Sequence, residues 1–443
     1  MALSPGVTAA RPTGSADNPG QDAAHAATGG AGHANVPHLA GFVMALFFIF
    51  GGITSLNDVI IPKLKELFTL DYMQAMFVQS AFFFAYFVVS LPAAWVVKRI
   101  GYMRGAVVGL LTMMVGCLLF IPASASATFI MFLGALFVLA GGVTIVQVVT
   151  NPLISLLGTP ETASSRLTFA QAFNSLGTTL FPYFGSMIIL GSLAKVSASQ
   201  LSGAALSAYR VEETRAVVHA YIGLAVALAI IAAVVFAYRN ALKGEKHTHG
   251  SLFEGFDLLK SPRFAFGAAC IFLYVGSEVS IGSLIVNYMR QPHVLGITAE
   301  AAGKLIPFYW GGALIGRFIG SGVLRTVNPG KVLACNALGA IALILISANS
   351  AGDFAAWTLL AIGLMNSIMF PTIFSLASEG LGERAADGSG VICVAIVGGA
   401  VIPPLTGRLA DVTGSLSLAL ALPAVCYALI GAYGLFARKP VKG

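Results

Sequence analysis

Phe42 to Leu64 reads FVMALFFIFGGITSLNDVIIPKL, an apolar run that carries a carboxylate, Asp58, inside it. A membrane-spanning helix needs about 20 mostly apolar residues, and this run supplies that length before its first basic residue, Lys63. An acidic group at membrane depth costs on the order of 3 kcal/mol on insertion scales, so such groups face a partner, a water-filled cavity or a functional site. Asp58 and its neighbour Asn57 are therefore the first candidate site residues.

The rest of the chain repeats the pattern. Of 443 residues, 57% are hydrophobic and 10% charged, against about 25% charged in a soluble domain. Hydrophobic runs of spanning length predict helices near 38–62, 73–97, 103–122, 127–156, 163–190, 216–238, 264–289, 300–323, 330–348, 354–378, 388–410 and 416–437. The fold class is thus an all-α membrane protein of about twelve transmembrane helices. Residues 1–36 are different, being rich in Gly, Ala, Pro and Thr without an apolar stretch, and read as a disordered cytoplasmic tail. No h-region and cleavage site precede the first apolar run, which is expected to remain as helix one.

Lys and Arg fix the expected orientation. With the amino terminus inside, the cytoplasmic segments hold Arg11, Lys98, Arg99, Arg104, Arg166, Arg239, Lys243, Lys246, Lys260, Arg263, Arg325, Lys331, Arg384, Arg438, Lys439 and Lys442, and the opposite side carries about half as many basic residues. Both termini are then cytoplasmic. The net charge of +7 is accounted for by this topology and by contact with anionic lipid, without nucleic acid.

The polar segment 239–263 separates six expected spans from six, giving an N-terminal bundle over 37–238, a cytoplasmic linker over 239–263 and a C-terminal bundle over 264–440. Within the linker, SLFEGFDLLK is expected to form a short amphipathic helix on the cytoplasmic surface. The five cysteines lie far apart inside spans, without metal or redox spacing, and read as packing residues. His247 and His249 fall in the linker and read as solvated.

The two halves resemble one another. The fourth span contains Gln147, Asn151, Pro152 and Ser155-Leu156, and the tenth contains Asn366, Pro371 and Ser375-Leu376. The fifth span holds Gly177, Pro182 and Gly185, the eleventh Gly398, Gly399, Pro403, Pro404 and Gly407. Matched interruptions in two halves point to a pseudo-symmetric repeat with a binding site near the bilayer midplane.

Glu278, in the seventh span, is the second deep acid, at the position equivalent to helix one. Around the two acids lie the amides Asn57, Gln79, Gln147, Asn151, Gln171, Asn174, Asn287 and Asn366. Gln147 and Asn151 are four apart, Gln171 and Asn174 three apart, so each pair shares a helix face. A cavity lined by amides, with aromatics such as Phe82, Phe83, Tyr309 and Trp310, suits a polyhydroxylated ligand: amides donate and accept, and ring faces cover the C–H face of a sugar. Each amide is equally able to bond helices together, and the two readings stay open here. There is no metal motif and no P-loop, so an enzyme, a bound cofactor and ATP-driven transport are not expected. Passive or ion-coupled transport remains, with a sensor on a transporter fold as the alternative.

The strings SLNDVIIPKL, FVQSAFFFAYFVVSLPA, VTNPLISLLGTPETASSRLTFAQAFNSLGTT, GRFIG, NSIMFPTIFSLA and VAIVGGAVIPPLTG resemble the fucose–galactose–glucose:proton symporter family of the major facilitator superfamily, over nearly the whole chain from about residue 38. The resemblance is strongest to its bacterial glucose/galactose branch. It implies the major facilitator fold, two six-helix bundles with alternating access, residence in the bacterial inner membrane and function as a monomer. It further implies a proton-coupling role for Asp58, in its Asn-Asp-x-x-x-Pro motif, and a sugar-site role for Gln171 and Asn174. Fucose-transporting members carry a glutamate where this chain has Gln147, and Glu278 resembles the glucose/galactose branch, so a protonatable group has moved from the fourth helix to the seventh. The loop Lys98-Arg99-Ile-Gly101-Tyr-Met-Arg104-Gly105 keeps basic residues but lacks the superfamily's usual aspartate.

The expected activity is import of a hexose, glucose or galactose, with a proton carried by Asp58 and Glu278. Asn57, Gln147, Asn151, Gln171, Asn174, Asn287, Trp310 and Asn366 are the expected sugar-binding residues. Fucose, N-acetylglucosamine or sucrose as substrate, and sodium as coupling ion, are the alternatives. Arg317, near the cytoplasmic end of the eighth helix, is expected to snorkel or to pair with a loop carboxylate, with a gating role as the alternative.

Overall fold

A computed structural model describes residues 37–69, 72–189, 201–240, 251, 253–298, 301–302 and 304–439. The expected tail, 1–36, and the histidines 247 and 249 lie outside the described residues. Twelve helical passages run through the described part: α1 Pro37–Leu67, α2 Tyr72–Ile100, α3 Tyr102–Leu118 continuing as Phe120–Ser126, α4 Phe129–Leu156, α5 Ala163–Ile189, α6 Gly203–Ala237, α7 Pro262–Met289, α8 Ile306–Val323, α9 Pro329–Ala348, α10 Gly352–Asn366 continuing as Met369–Ala377, α11 Ala385–Ala395 continuing as Gly398–Thr413, and α12 Leu416–Ala419 continuing as Ala421–Phe436. Ten are long and apolar enough to cross a membrane. The two that fall short, α5 and α8, pack on each other; their polar residues face protein instead of lipid.

Several boundaries differ from the sequence-based expectation, α11 and α12 being interrupted as well, and three of them have a plain physical reason. Helix α6 begins at Gly203, well before the expected residue 216. Its added turns are polar and escape a hydropathy window, yet they are held because Arg210 donates to the Leu67 carbonyl at the end of α1 (2.9 Å) and lies over the Phe68 ring. Helix α8 starts at Ile306, with Pro307 in its first turn, where proline's missing N–H has no cost. Helix α10, expected as one span, breaks at Ser367–Ile368, four residues before Pro371. Proline cannot donate to the carbonyl four residues back, so Ser367 loses its helical partner.

The packing pairs repeat from half to half. In the first half α1 packs on α5, α2 on α4, α3 on α4 and α3 on α6; in the second α7 packs on α11, α8 on α10, α9 on α10 and α9 on α12. Glycine permits the closest crossings. A Cβ on Gly177 of α5 would sit 2.1 Å from the Phe48 carbonyl oxygen of α1, and one on Gly398 of α11 would sit 2.0 Å from that of Phe272 on α7. These equivalent backbone-to-backbone contacts are the physical basis of the repeat.

Contacts between the halves use α2 with α11, α5 with α8, α5 with α10 and α4 with α11. Several of their polar bonds lie toward the end of the molecule that carries residues 253–260. Ser164 donates to Ser375 (2.9 Å) and Ser165 to the Ser321 carbonyl (2.6 Å). Between α2 and α11, Lys98 pairs with Asp387 at 2.9 Å, both side chains almost fully buried. The linker adds Glu254, 3.0 Å from Lys98, and Asp257, 2.5 Å from Arg384. The expected short helix is a 3-10 turn, Glu254–Lys260, that buries Gly255 and Leu258 and exposes its other residues; with Gly255 against α11 it also straps the ends of α2 and α11 together. Arg384 holds the Asp257 carboxyl below the usual carboxylate range by hydrogen bonding to it.

Arg166 explains the PETASSRLT stretch. It donates to the carbonyls of Ile154 (3.2 Å) and Ser155 (2.7 Å) at the end of α4, and to Thr159 in the loop (2.9 Å). Carbonyls that a helix end leaves unpaired are thereby used to fix the turn that presents Ser164 and Ser165 to the other half. Of the cysteines, Cys117, Cys270, Cys393 and Cys426 are buried as expected, and Cys335 is exposed.

Candidate functional site

In the first half, Gln147 of α4 accepts a hydrogen bond from the Tyr86 hydroxyl of α2 (2.8 Å). One turn further, Asn151 is fully buried, and both atoms of its amide lack a hydrogen-bond partner. Leaving a buried amide unpaired costs on the order of 1–3 kcal/mol, so Asn151 holds unused donor and acceptor capacity beside Gln147. Gln171 of α5 is buried. Asn174, half-buried, donates to the Phe47 carbonyl of α1 (3.3 Å), so part of its capacity bonds α5 to α1. Asn57 and Asp58 lie on α1, and their side chains, like that of Gln79, fall outside the described residues.

The second half holds a tyrosine network. Glu278 of α7 accepts from the Tyr274 hydroxyl, one turn back on the same helix (2.7 Å). That hydroxyl also lies 3.1 Å from the Asn366 carbonyl at the break in α10. The Asn366 amide donates to the Tyr309 hydroxyl (2.8 Å) and accepts from the Tyr427 hydroxyl of α12 (2.7 Å), and Tyr309 donates to the Glu278 carbonyl (3.2 Å). Asn366 is fully buried; three of its polar atoms are engaged by protein, so it organises four helices. Glu278 itself is only half-buried.

Trp310 is 43% exposed. It meets the Tyr309 ring edge-on at 5.1 Å and covers Gly282, one turn beyond Glu278, where a Cβ would lie 3.3 Å from its indole. Trp310 thus packs one turn along α7 from Glu278. Phe82, Phe83 and Tyr309, expected to line a cavity, are packed in the interior. Asn287 is exposed and lies nine residues past Glu278, about 13 Å along the helix axis; the structure does not bring it to that carboxyl.

Arg317 corrects an expectation. It neither snorkels nor meets a loop carboxylate. Its guanidinium donates to the Ser367 carbonyl freed by Pro371 (3.2 Å), to the Gln171 carbonyl of α5 (3.2 Å) and to the Ser175 hydroxyl. One side chain thus holds the broken helix of the second half and the fifth helix of the first. Sequence reasoning also missed Tyr86, Tyr274 and Tyr427. Tyr274 left a signal, its spacing of four from Glu278, whereas Tyr427 left none.

Among the described residues, no group of three His, Cys, Asp or Glu side chains gathers as a metal would require. The arrangement has the chemistry of a binding cavity: an acid with a tyrosine partner, an open tryptophan face, and amides with unused capacity.

Comparison with known proteins gives a consistent result. The family model for the Major Facilitator Superfamily matches residues 42–403. The chain is 49% identical over 403 residues to the glucose/galactose transporter of Brucella abortus biovar 1, covering 89% of this chain and 92% of that protein. It is 32% identical over 405 residues to the L-fucose-proton symporter of Escherichia coli, covering 88% and 91%. The crystal structure of a Major Facilitator Superfamily transporter, FucP, in the outward conformation superposes with a TM-score of 0.81 at 30% identity, over 90% of this chain and 98% of that one.

Proposed function

Because the chain belongs to the Major Facilitator Superfamily, we propose that it is a secondary active sugar transporter, importing a hexose such as glucose or galactose together with a proton by alternating access. The observation that carries the proposal is the identity, extending over nearly the full chain, with the Brucella glucose/galactose transporter. The site chemistry supports it. A sugar presents hydroxyls all round its ring and an apolar C–H face, and the proposed set of amides, an acid and the part-exposed Trp310 ring supplies groups for both.

In this reading Asp58 and Glu278 carry the coupling proton, and no chemical step is catalysed. Gln147, Asn151, Gln171 and Trp310 contact the sugar, together with Asn57 of α1. Asn174 and Asn366 act mainly as supports, since their amides already bond neighbouring helices, and Asn287 lines the approach to the site. A proton is favoured over sodium because the Escherichia coli relative is an L-fucose-proton symporter. The chain works as a monomer in the bacterial inner membrane, with the tail, linker and both termini cytoplasmic and a six-helix bundle on each side of the linker; the excess of Lys and Arg on the linker side supports that orientation. The halves meet toward the linker end, so the described state is outward-facing.

The test is uptake of labelled glucose into proteoliposomes. Accumulation driven by an acidic exterior, abolished by a protonophore, indifferent to sodium and competed by galactose is expected. Competition by fucose, N-acetylglucosamine or sucrose alone would reassign the substrate. Sugar binding without flux would refute transport and leave a sensor.

A further inference from the structure

We infer that the break in α10 is the joint through which a proton on Glu278 reaches the contact between the two halves, with Tyr274 and Arg317 as its positioning residues. The inference rests on the coupling role proposed above for Glu278, and it names the route by which that role is exerted.

Several carbonyls at the break are taken by side chains, among them Leu364 O by Ser367 and Met365 O by Asn336, and two of them link the break to α7 and α8. Asn366 O faces the Tyr274 hydroxyl (3.1 Å), and Ser367 O accepts from Arg317 (3.2 Å). A hydroxyl has one proton to donate, yet Tyr274 stands between two acceptors, Asn366 O and the Glu278 carboxyl (2.7 Å). Ionised Glu278 is an acceptor only, so it takes the Tyr274 proton and leaves Asn366 O bare. Protonated Glu278 carries its own O–H, which donates to the Tyr274 oxygen and turns the tyrosine proton toward Asn366 O. Tyr274 neither gains nor loses a proton; it changes acceptor.

The second carbonyl carries the consequence across. Arg317 holds Ser367 O and, with the same guanidinium, the Gln171 carbonyl (3.2 Å) and the Ser175 hydroxyl of the opposite half. When both carbonyls are capped, the break is fixed and Arg317 is aimed at α5; when Asn366 O is released, the support of that aim is loosened. The groups facing Glu278 are Tyr274 on its own helix, Tyr309 and Arg317 from α8, Asn366 from α10 and Tyr427 from α12, and Arg317 is the cation among them. The direction suits a symporter. A proton-loaded but sugar-free carrier must not reorient, or it leaks protons, whereas the deprotonated empty carrier must return.

The test needs no sugar. Ser321→Cys, buried at the contact between halves, is modified with a maleimide in purified full-length protein from mildly acidic to mildly basic pH. At each pH the rate is divided by that of the same probe in a Tyr274→Phe protein, which removes the thiol's own titration. The ratio is expected to be about fivefold lower at acidic than at basic pH, the effect of one net hydrogen bond. Glu278→Gln should hold it low at every pH, because the amide N–H supplies the Tyr274 oxygen as a protonated acid would. Arg317→Gln should be fast throughout. A ratio that does not change with pH, or a Glu278→Gln protein that keeps the unsubstituted profile, overturns the inference. Vesicle uptake decides the proposed function separately, so either can fail while the other stands.

Discussion

Asp387→Asn probes the closure between the halves most directly. Lys98 and Asp387 are 2.9 Å apart, with side chains only 8% and 6% exposed. Removing one partner of a fully buried pair costs about 3–5 kcal/mol. Lys98 keeps Glu254 at 3.0 Å, but that carboxylate is 43% exposed and compensates only in part, so the expected loss is about 1–3 kcal/mol. The loss falls on the state in which α2 and α11 are joined; once the halves part at this end, Lys98 and Asp387 are solvated in the unsubstituted protein too. The equilibrium between the two states should therefore move toward the opened one by about 5- to 150-fold. Spin labels at Arg104→Cys and Arg325→Cys, both exposed at the linker end, would report the change as a longer distance population. Glu254→Gln serves as the internal comparison, since a half-exposed partner contributes at most about 1 kcal/mol and should shift the population far less. An unchanged distance distribution in Asp387→Asn would refute the claim that this pair holds the closure.

Four further outcomes are expected. Gly177→Ala should lower the yield of folded protein and its unfolding midpoint, because its Cβ would collide with the Phe48 carbonyl; Gly223→Ala on α6, where nothing lies within 4 Å, should be harmless in the same melt. Asn366→Leu should destabilise by about 1–3 kcal/mol, since the Tyr427 hydroxyl loses its acceptor, and an unchanged melting temperature would show that the network is not structural. Trp310→Ala should weaken sugar affinity by about tenfold, as loss of a stacking face worth about 1.5 kcal/mol would do, with the melting temperature nearly unchanged; an unaltered inhibition constant would remove Trp310 from the sugar site. The linker strap should not respond to cytoplasmic pH. Asp257 is held below its unfolded value by Arg384, so its contribution is fully present above the unfolded value and is lost only as pH falls through the depressed one; an Asp257→Asn effect on label distance that vanishes near neutral pH would contradict this.

The fold was legible because a bilayer imposes one rule on every helix, and apolar length reports it. Helices α5 and α8 are the instructive cases, since their polar residues keep them below the threshold for a spanning segment for the same reason that they matter, namely that they face each other. The break in α10 was half legible. Pro371 announces that the Ser367 carbonyl is freed, but the chain between does not say that Arg317, on another helix, will take it. The amides were visible and their division of labour was not: Gln147 and Asn366 look alike in sequence, and only their neighbours show one near unused capacity and the other engaged by three tyrosines. Asp387 was invisible for a similar reason. It lies at the start of a span, where an acid is unremarkable, and becomes a buried partner only because α2 delivers Lys98 to it.

The repeat shows how a symmetric scaffold carries an asymmetric load. Gln147 precedes Pro152 by five residues and Asn366 precedes Pro371 by five. In the fold each amide meets a tyrosine from the equivalent neighbouring helix, Tyr86 of α2 for Gln147 (2.8 Å) and Tyr309 of α8 for Asn366 (2.8 Å). The pairs occupy matching places, yet their surroundings differ. Beyond Gln147 stands Asn151, its buried amide without a hydrogen-bond partner, which gives that half unused neutral hydrogen-bonding capacity. Beyond Asn366 stand Tyr274 and Glu278, which give that half a titratable group wired to a helix break. On the proposed function, proton sensing by the α7 acid belongs to the second half and neutral hydrogen bonding to the sugar belongs to the first. Exchanging the chemistry tests this division: Gln147→Glu adds an acid beside Tyr86, which has no hydrogen bond to the break in α10. It should add a pH dependence to sugar affinity without altering the pH dependence of modification at Ser321→Cys. If that substitution changes both, the two halves are not separated as argued, and the tyrosine–amide pair of α2 and α4 also communicates with the contact between the halves.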